Sequence, residues 1–352
     1  GWIYMNNGAG AKRLGAQTVK FESRVPIIST ATIAGPKETE GPLSDYFDVK
    51  LADDMWDEDS WEKAESTMQR EAVKIAVSRR GLALDDIDYI FAGDLLNQCT
   101  AAGFGIRDLN IPYFGVYGAC STMIEGLSLG AMMIDGGYAK TAAAVSSSHY
   151  CTAERQYRNP LEYGGPRTPP AQWTVTGAAA AILGCAEGSG SDGAQKEVYI
   201  THATTGRIVD FGVKDPNNMG GAMAPAAVST LTEHFKATGT QPKDYDLILT
   251  GDLGTLGKSV AIDLMLEQGY DLSGLYDDCG CMIYDIEKQD VHAGGSGCGC
   301  VSITFCGYII NLMREQKLSR VLVAGTGALL SPTSTLQGES IPGIAHAAVI
   351  EI

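Results

Sequence analysis

The stretch YGACSTMIEG, Tyr117 to Gly126, sets one thiol between a Gly-Ala turn and a run of small and apolar residues that opens a helix. A cysteine at that point meets the positive end of the helix dipole, so Cys120 is expected to ionise below the free-thiol value of about 8.5. Ser121 and Thr122 bring hydroxyls and amides to the same helix start, an arrangement suited to an anion. The plainer role for Cys120 is that of a small buried residue. His149 follows the strand TAAAVSSS, where α/β folds commonly deliver site residues. Arg155 and Arg158, with Arg167 beyond them, form a local cationic cluster in SSSHYCTAERQYR and the loop after it. That cluster reads either as a solvated face or as a pocket wall, and the Pro/Gly-rich loop NPLEYGGPRTPP is of the kind that covers sites. His292, at the head of HAGGSGCGC, is a further candidate. Asp94 and Asp252 each follow a buried strand and precede a helix, which predicts helix N-caps. Cys279-Gly280-Cys281 and Cys298-Gly299-Cys300 lack the spacing of structural zinc pairs, so neither a metal nor a cofactor is expected.

Two internal echoes define the elements that must position these residues. DDIDYIFAGDLLNQ and KDYDLILTGDLGTL both run acidic turn, buried strand, Gly-Asp, Leu, pairing Asp88 with Asp246 and Asp94 with Asp252 at one constant offset. GACSTMIEGLSLGAMMIDGGYAKTAAAVSS is mirrored by GCGCVSITFCGYIINLMREQKLSRVLVAGTG, pairing Lys140 with Arg320 at a longer offset. Duplication with an insertion near residues 258–290 of the second copy accounts for both. The resulting halves are expected at residues 18–195, which contain Cys120, and 196–352. YIFAG, TAAAVS, LILTG and VLVAGTG are continuous apolar runs, the sign of strands covered on both faces. A helix over SWEKAESTMQREAVKIAVSRRG buries Ala64, Met68, Ala72, Ile75 and Ala76 and stops at Gly81. Gly126 and Gly130 on one central helix, and Gly299, Ser302 and Cys306 on its counterpart, predict that these two helices pack together.

The composition narrows the function classes. With 352 residues, 45% hydrophobic and 19% charged, the chain has core enough for a folded α/β protein. A net charge of −16 opposes polyanions and provides no polybasic membrane anchor, so nucleic acid is not expected as a partner. Nine cysteines without a charged-then-apolar leader fit free thiols in a reducing compartment, and Gly1 reads as a cleavage scar. No uncharged apolar run reaches the roughly 18 residues of a spanning helix, so membrane association is expected to be peripheral.

The duplicated α/β pattern with a helix-opening cysteine resembles the thiolase-like fold, in which two similar βαβαβ halves form α-β-α-β-α layers around two central helices. GACSTMIEGLSLGAMMIDGGYAK looks like the nucleophile region of β-ketoacyl synthases, and VLVAGTGALLSP like their closing strand and loop. AGPKETEGPL, AGDLLNQ, SSSHYCTAERQYR, EYGG, AMAPAA, DCGCMIY, AGGSGCGC and ESIPGIAH are similar to the stage V sporulation protein AD family, from about residue 18 to 352. That resemblance implies a component, without a transmembrane segment, of the SpoVA channel complex at the spore inner membrane. It also implies binding of dipicolinic acid (pyridine-2,6-dicarboxylate), alone or as its calcium chelate, with the SpoVA channel proteins as partners and a homodimer by analogy. Condensing enzymes assist the cysteine from two further positions, which here align with Gly251 and Gly295, so a non-catalytic binder is expected. The alternative is an acyl-transferring condensing enzyme using Cys120. For the diacid, the implied pocket is Cys120, Ser121, His149, Arg155, Arg158 and His292, with Arg155 as the carboxylate partner.

Overall fold

The computed structural model describes residues 12–157, 167–184 and 196–352. The principal strands of the main sheet are β1 (Thr18–Ala34), β2 (Tyr89–Gly93), β3 (Tyr113–Gly115), β4 (Thr141–Ser148), β5 (Gly177–Gly184), β6 (Tyr199–Thr204), β7 (Leu247–Thr250), β8 (Tyr276–Asp278), β9 (Arg320–Ala328) and β10 (Gly343–Glu351), with the two residues Val49–Lys50 paired to the end of β1. They lie in the order β8-β7-β9-β10-β6-β1-β5-β4-β2-β3. The first five strands therefore follow the order β1-β5-β4-β2-β3, and the next five repeat it as β6-β10-β9-β7-β8. In each set three strands are joined by two parallel pairings, and the other two pairings are antiparallel. Strand β1 joins the sets, pairing with β6 through Pro26 and with β5 from Ile27 onward.

The echoes in sequence become equivalent contacts. Asp88 accepts the amides of Lys140 and Thr141 at 2.6 and 3.1 Å, and Asp246 accepts those of Ser319 and Arg320 at 2.6 and 2.9 Å. Each carboxylate ties the turn before one parallel strand to the start of its neighbour.

The principal helices are α1 (Trp61–Arg79), α2 (Thr100–Arg107), α3 (Thr122–Asp135), α4 (Tyr150–Tyr157), α5 (Met219–Thr238), α6 (Gly254–Glu267) and α7 (Cys298–Ile303). α1 begins where the Ser60 hydroxyl accepts the Lys63 amide, buries Ala64, Met68, Ala72 and Ala76, and ends before Gly81 at φ +68°. Ile75 is only half-buried. α1 and α2 cover the outer face of the first set of strands, and α5 and α6 cover that of the second. α3 and α7 lie in the middle layer, α3 touching strands of both sets, which completes the α-β-α-β-α stack. Their small residues face the sheet more than each other: Gly126 approaches Ala144 and Phe91, Gly130 approaches Leu183 and Ala142, and Gly299 approaches Gly177 and Ser148. The expected helix-to-helix seam is thus mainly a helix-to-strand seam, since close packing on an Ala-rich strand also demands small residues.

Several carboxyls are buried in this core. Glu38 accepts bonds from the Tyr284 hydroxyl and the Thr176 amide, and burial pushes its carboxyl up to about 7. Its folded pKa lies above the unfolded carboxylate value, so its contribution to stability is present at low pH and declines as pH rises from about 4.5 to 7. Glu38→Gln keeps a polar partner for both groups and cannot ionise. Thermal melts from pH 5 to pH 8 should show the variant gaining on the wild type as pH rises; a constant difference between the two would contradict this.

Candidate functional site

The turn that carries Cys120 is built from backbone geometry. Ala119 sits at φ +48°, and the Ser121 and Thr122 hydroxyls donate back to the carbonyls of Gly118 and Ala119, each at 2.6 Å. These bonds close the start of α3 on itself, so the hydroxyls expected to receive an anion are already engaged with the chain. Strand β9 passes directly beneath the turn at Gly325 and Gly327; a Cβ on Gly327 would lie 2.4 Å from the Gly118 carbonyl oxygen.

Asp252 stands against the Cys120 thiol. Its carboxylate also accepts the Thr326 hydroxyl at 2.7 Å and the Gly297 amide at 2.8 Å. Gln172 fixes the same corner by donating to the carbonyls of Asp252 and Gly295 at 2.8 and 2.7 Å. The predicted N-cap role of Asp252 falls instead to Asp278, which accepts the amides of Leu253 and Gly254 ahead of α6. Asp94, its sequence counterpart, keeps a local backbone role by accepting the amides of Leu96 and Ala102. Gly251 and Gly295 point away from the thiol: a Cβ on the first would meet Thr326 and Gly325, and one on the second Ile283 and Tyr284. The positions that open on Cys120 are therefore Asp252 and Gly297, each one or two residues beyond the aligned glycines.

Burial and the neighbouring carboxylate together push the Cys120 thiol well above its ordinary value. The lowered pKa expected from the helix start is thus reversed, because desolvation and a like-signed neighbour outweigh one helix terminus. Burial likewise pushes the Asp252 carboxyl up to about 7. Cys298 packs beside Cys120 and donates its thiol hydrogen to the Ala119 carbonyl at 3.0 Å.

A cavity of about 40 Å³ opens at this thiol, walled by Leu95, Tyr117, Ala153, Glu154, Tyr157 and Ser296 among others. No Lys, Arg or His is among the described residues that line it. Tyr117 and Tyr157 join hydroxyl to hydroxyl at 3.0 Å, and Tyr157 also bonds to the Leu95 carbonyl. The same two tyrosines form the inner wall of a surface depression of about 310 Å³ that Asn97, Gln98 and Ser331 help to line.

The other candidate residues lie apart from this cavity. His149 is buried, donates from Nε2 to the Asp54 carbonyl at 2.7 Å and accepts the Cys151 amide on Nδ1, and burial lowers its pKa. Arg155 pairs with Glu62 and lies over the Trp61 ring at the surface. His292 bonds to the Thr168 carbonyl at 3.1 Å and stands 3.3 Å from Asp290. Arg158 and most of the loop after it lie outside the described residues. Tyr117, Tyr157, Glu154 and Asp252 went unmarked as site residues in the sequence. Only the Gly-Asp of LILTGD carried any signal, and the same pair in the first half does something else. Among the described residues no group of three or more His, Cys, Asp or Glu side chains is placed to hold a metal.

Comparison with known proteins assigns the family. The sequence profile of stage V sporulation protein AD (SpoVAD) matches residues 15–351. The chain belongs to that family. Stage V sporulation protein AD of Bacillus subtilis (strain 168) is 46% identical over 340 residues, spanning 97% of this chain and 98% of the relative. This SpoVAD-family chain also resembles cerulenin-bound OleA of Xanthomonas campestris, with a TM-score of 0.62, 16% identity, and 95% and 98% of the two chains covered. With 3-oxoacyl-[acyl-carrier-protein] synthase III of Aquifex aeolicus VF5 the TM-score is 0.56 at 13% identity, over 93% and 100%. These neighbours establish the thiolase-like fold. Membership of the SpoVAD family places the protein in sporulation. Among the described residues, no helix is long and apolar enough to cross a membrane.

Proposed function

We propose that the protein binds dipicolinic acid in the cavity beside Cys120 and leaves it chemically unchanged, serving its passage into or out of spores. The observation that carries the reading is a neutral thiol beside a carboxyl in a pocket whose described lining holds no imidazole. Transfer to a thiol needs an ionised sulfur and donors at the developing oxyanion. Here the Gly297 amide is taken up by Asp252. The wall includes Glu154, with Asp252 close behind, so a free dianion would face like charge, whereas the calcium chelate of the diacid is neutral. The chelate is therefore the favoured form. Tyr117 and Tyr157 stand between the inner cavity and the outer depression, and in this reading their rotation would join the two and admit a flat ring between two phenols.

Calorimetric titration with dipicolinate, with and without calcium, should give saturable binding that calcium strengthens; no saturable heat under either condition rejects the reading. The second reading, acyl transfer, is favoured by one observation, the Asp252 carboxyl near 7 against the thiol, a value suited to a base. An acyl adduct on Cys120 after incubation with acyl-CoA, read by intact mass, would establish it.

A homodimer fits the outer edge of β3, which pairs only with β2 among the described strands and exposes Tyr113 and Phe114 beside Phe104. Sedimentation velocity would show a single monomer species if this is mistaken. Docking on the channel proteins at the spore inner membrane is the remaining part of the proposal; co-flotation with vesicles carrying those proteins tests it, and recovery only in the soluble fraction would refute it.

A further inference from the structure

Cys120 retains the position of a nucleophile, and what its neighbours do to it is legible in the geometry. Asp252, from the junction of β7 and α6, faces the thiol. The same carboxylate binds the Gly297 amide at 2.8 Å and is held by the Thr326 hydroxyl at 2.7 Å, so it cannot turn away. This backbone amide, one residue ahead of α7, also faces the thiol and favours negative charge there, so the carboxylate and the sulfur compete for it. Gly297 sits at φ +98°, and a Cβ there would meet the Ser148 hydroxyl at 2.6 Å, which fixes the direction of that amide.

The Gly297 amide opposes the carboxylate at the thiol, and the side chains around it do not. Cys298 faces it from α7, Tyr117 from its own turn and Tyr157 from α4. Glu154 stands in the cavity wall, while Asp278 and Cys300 lie behind Asp252. Every one of these is neutral or acidic.

We propose that Asp252 is a positioning residue that keeps Cys120 unreactive, by holding a carboxylate against the thiol and sharing the Gly297 amide with it. The inference rests on the non-catalytic reading and deepens it: the nucleophile is retained and disarmed by one side chain. Removing the charge while keeping the shape should release it.

The test is alkylation of the full-length protein by iodoacetamide, with the Cys120 peptide quantified by mass spectrometry from pH 6 to pH 10. Asp252→Asn should move the midpoint of Cys120 labelling down by at least about one pH unit, a roughly tenfold faster reaction at pH 8. Asp252→Ser replaces it if the Asn variant does not fold. An unshifted midpoint in a folded variant overturns the proposal, as does a wild-type midpoint at or below the ordinary value for a free thiol. A merely structural role would alter melting temperature without moving the pH profile. Acyl-CoA turnover by the wild type at Cys120 would sink both the ligand-binding reading and the role of Asp252; an unshifted midpoint with normal dipicolinate binding would sink only the role of Asp252.

Discussion

Gly327→Val should lower the melting temperature by roughly 2–4 °C and abolish ligand binding at Cys120. Strand β9 crosses under the Cys120 turn so closely that even a Cβ at position 327 would fall 2.4 Å from the Gly118 carbonyl oxygen, 3.2 Å from the Ala119 Cβ and 3.1 Å from Ile344. The nearest of these atoms is backbone, in a turn already held at a positive φ at Ala119, so it has little room to retreat. Overpacking of this kind commonly costs about 1–3 kcal/mol, and a second branch on Val adds to it. The turn must lift away from β9, carrying Cys120 away from Asp252 and Gly297. Differential scanning calorimetry with parallel binding titrations checks both effects. A variant that melts with the wild type would show that the turn is not held by this contact.

Glu154→Gln carries the second large effect, and its signature is a change of sign. Glu154 is buried on the face of α4 that also presents Ala153 and Tyr157 to the cavity. In the proposed complex a carboxylate there would meet the calcium of a chelated ligand as an oxygen donor and would repel the unchelated dianion. Charge-assisted contacts contribute about 1.5–3 kcal/mol, so losing one should weaken binding of the calcium form by roughly 10- to 100-fold. Free dipicolinate should gain from the same change. Isothermal titration with calcium and with a chelator present separates the two. If both forms shift together, Glu154 acts on the shape of the cavity and not on charge.

The fold was legible because its signals are local and repeated. Continuous apolar runs marked β2, β4, β7 and β9, and the pairing of Asp88 with Asp246 became the same backbone contact in both halves. The Cys120 turn was legible for the same reason, since its Gly-Ala approach and helix start are contiguous. The chemistry around it was not. Asp94 and Asp252 look alike in sequence, yet the carboxylate of the second is turned to Gly297 and Thr326, 45 and 74 residues away. His149 follows its strand, His292 heads its loop and Arg155 lies on α4, but the groups that engage them come from distant segments. Asp54 claims the imidazole of His149 across 95 residues, and Glu62 claims the guanidinium of Arg155 across 93. Spacing within one strand-turn-helix unit reports where a side chain starts, whereas its direction is set by whichever buried partner it must satisfy. The thiol pKa shows the same limit, because the helix start is visible in sequence and the carboxylate that outweighs it is not.

The central claim is that the pocket beside Cys120 holds the diacid and does not transform it. Crystals of the protein soaked in calcium dipicolinate test this most directly. The account predicts an intact pyridine ring between Tyr117 and Tyr157, its calcium toward Glu154, with no bond to the Cys120 sulfur. Ligand density at a site remote from Cys120, or a covalent adduct on that sulfur, would contradict it.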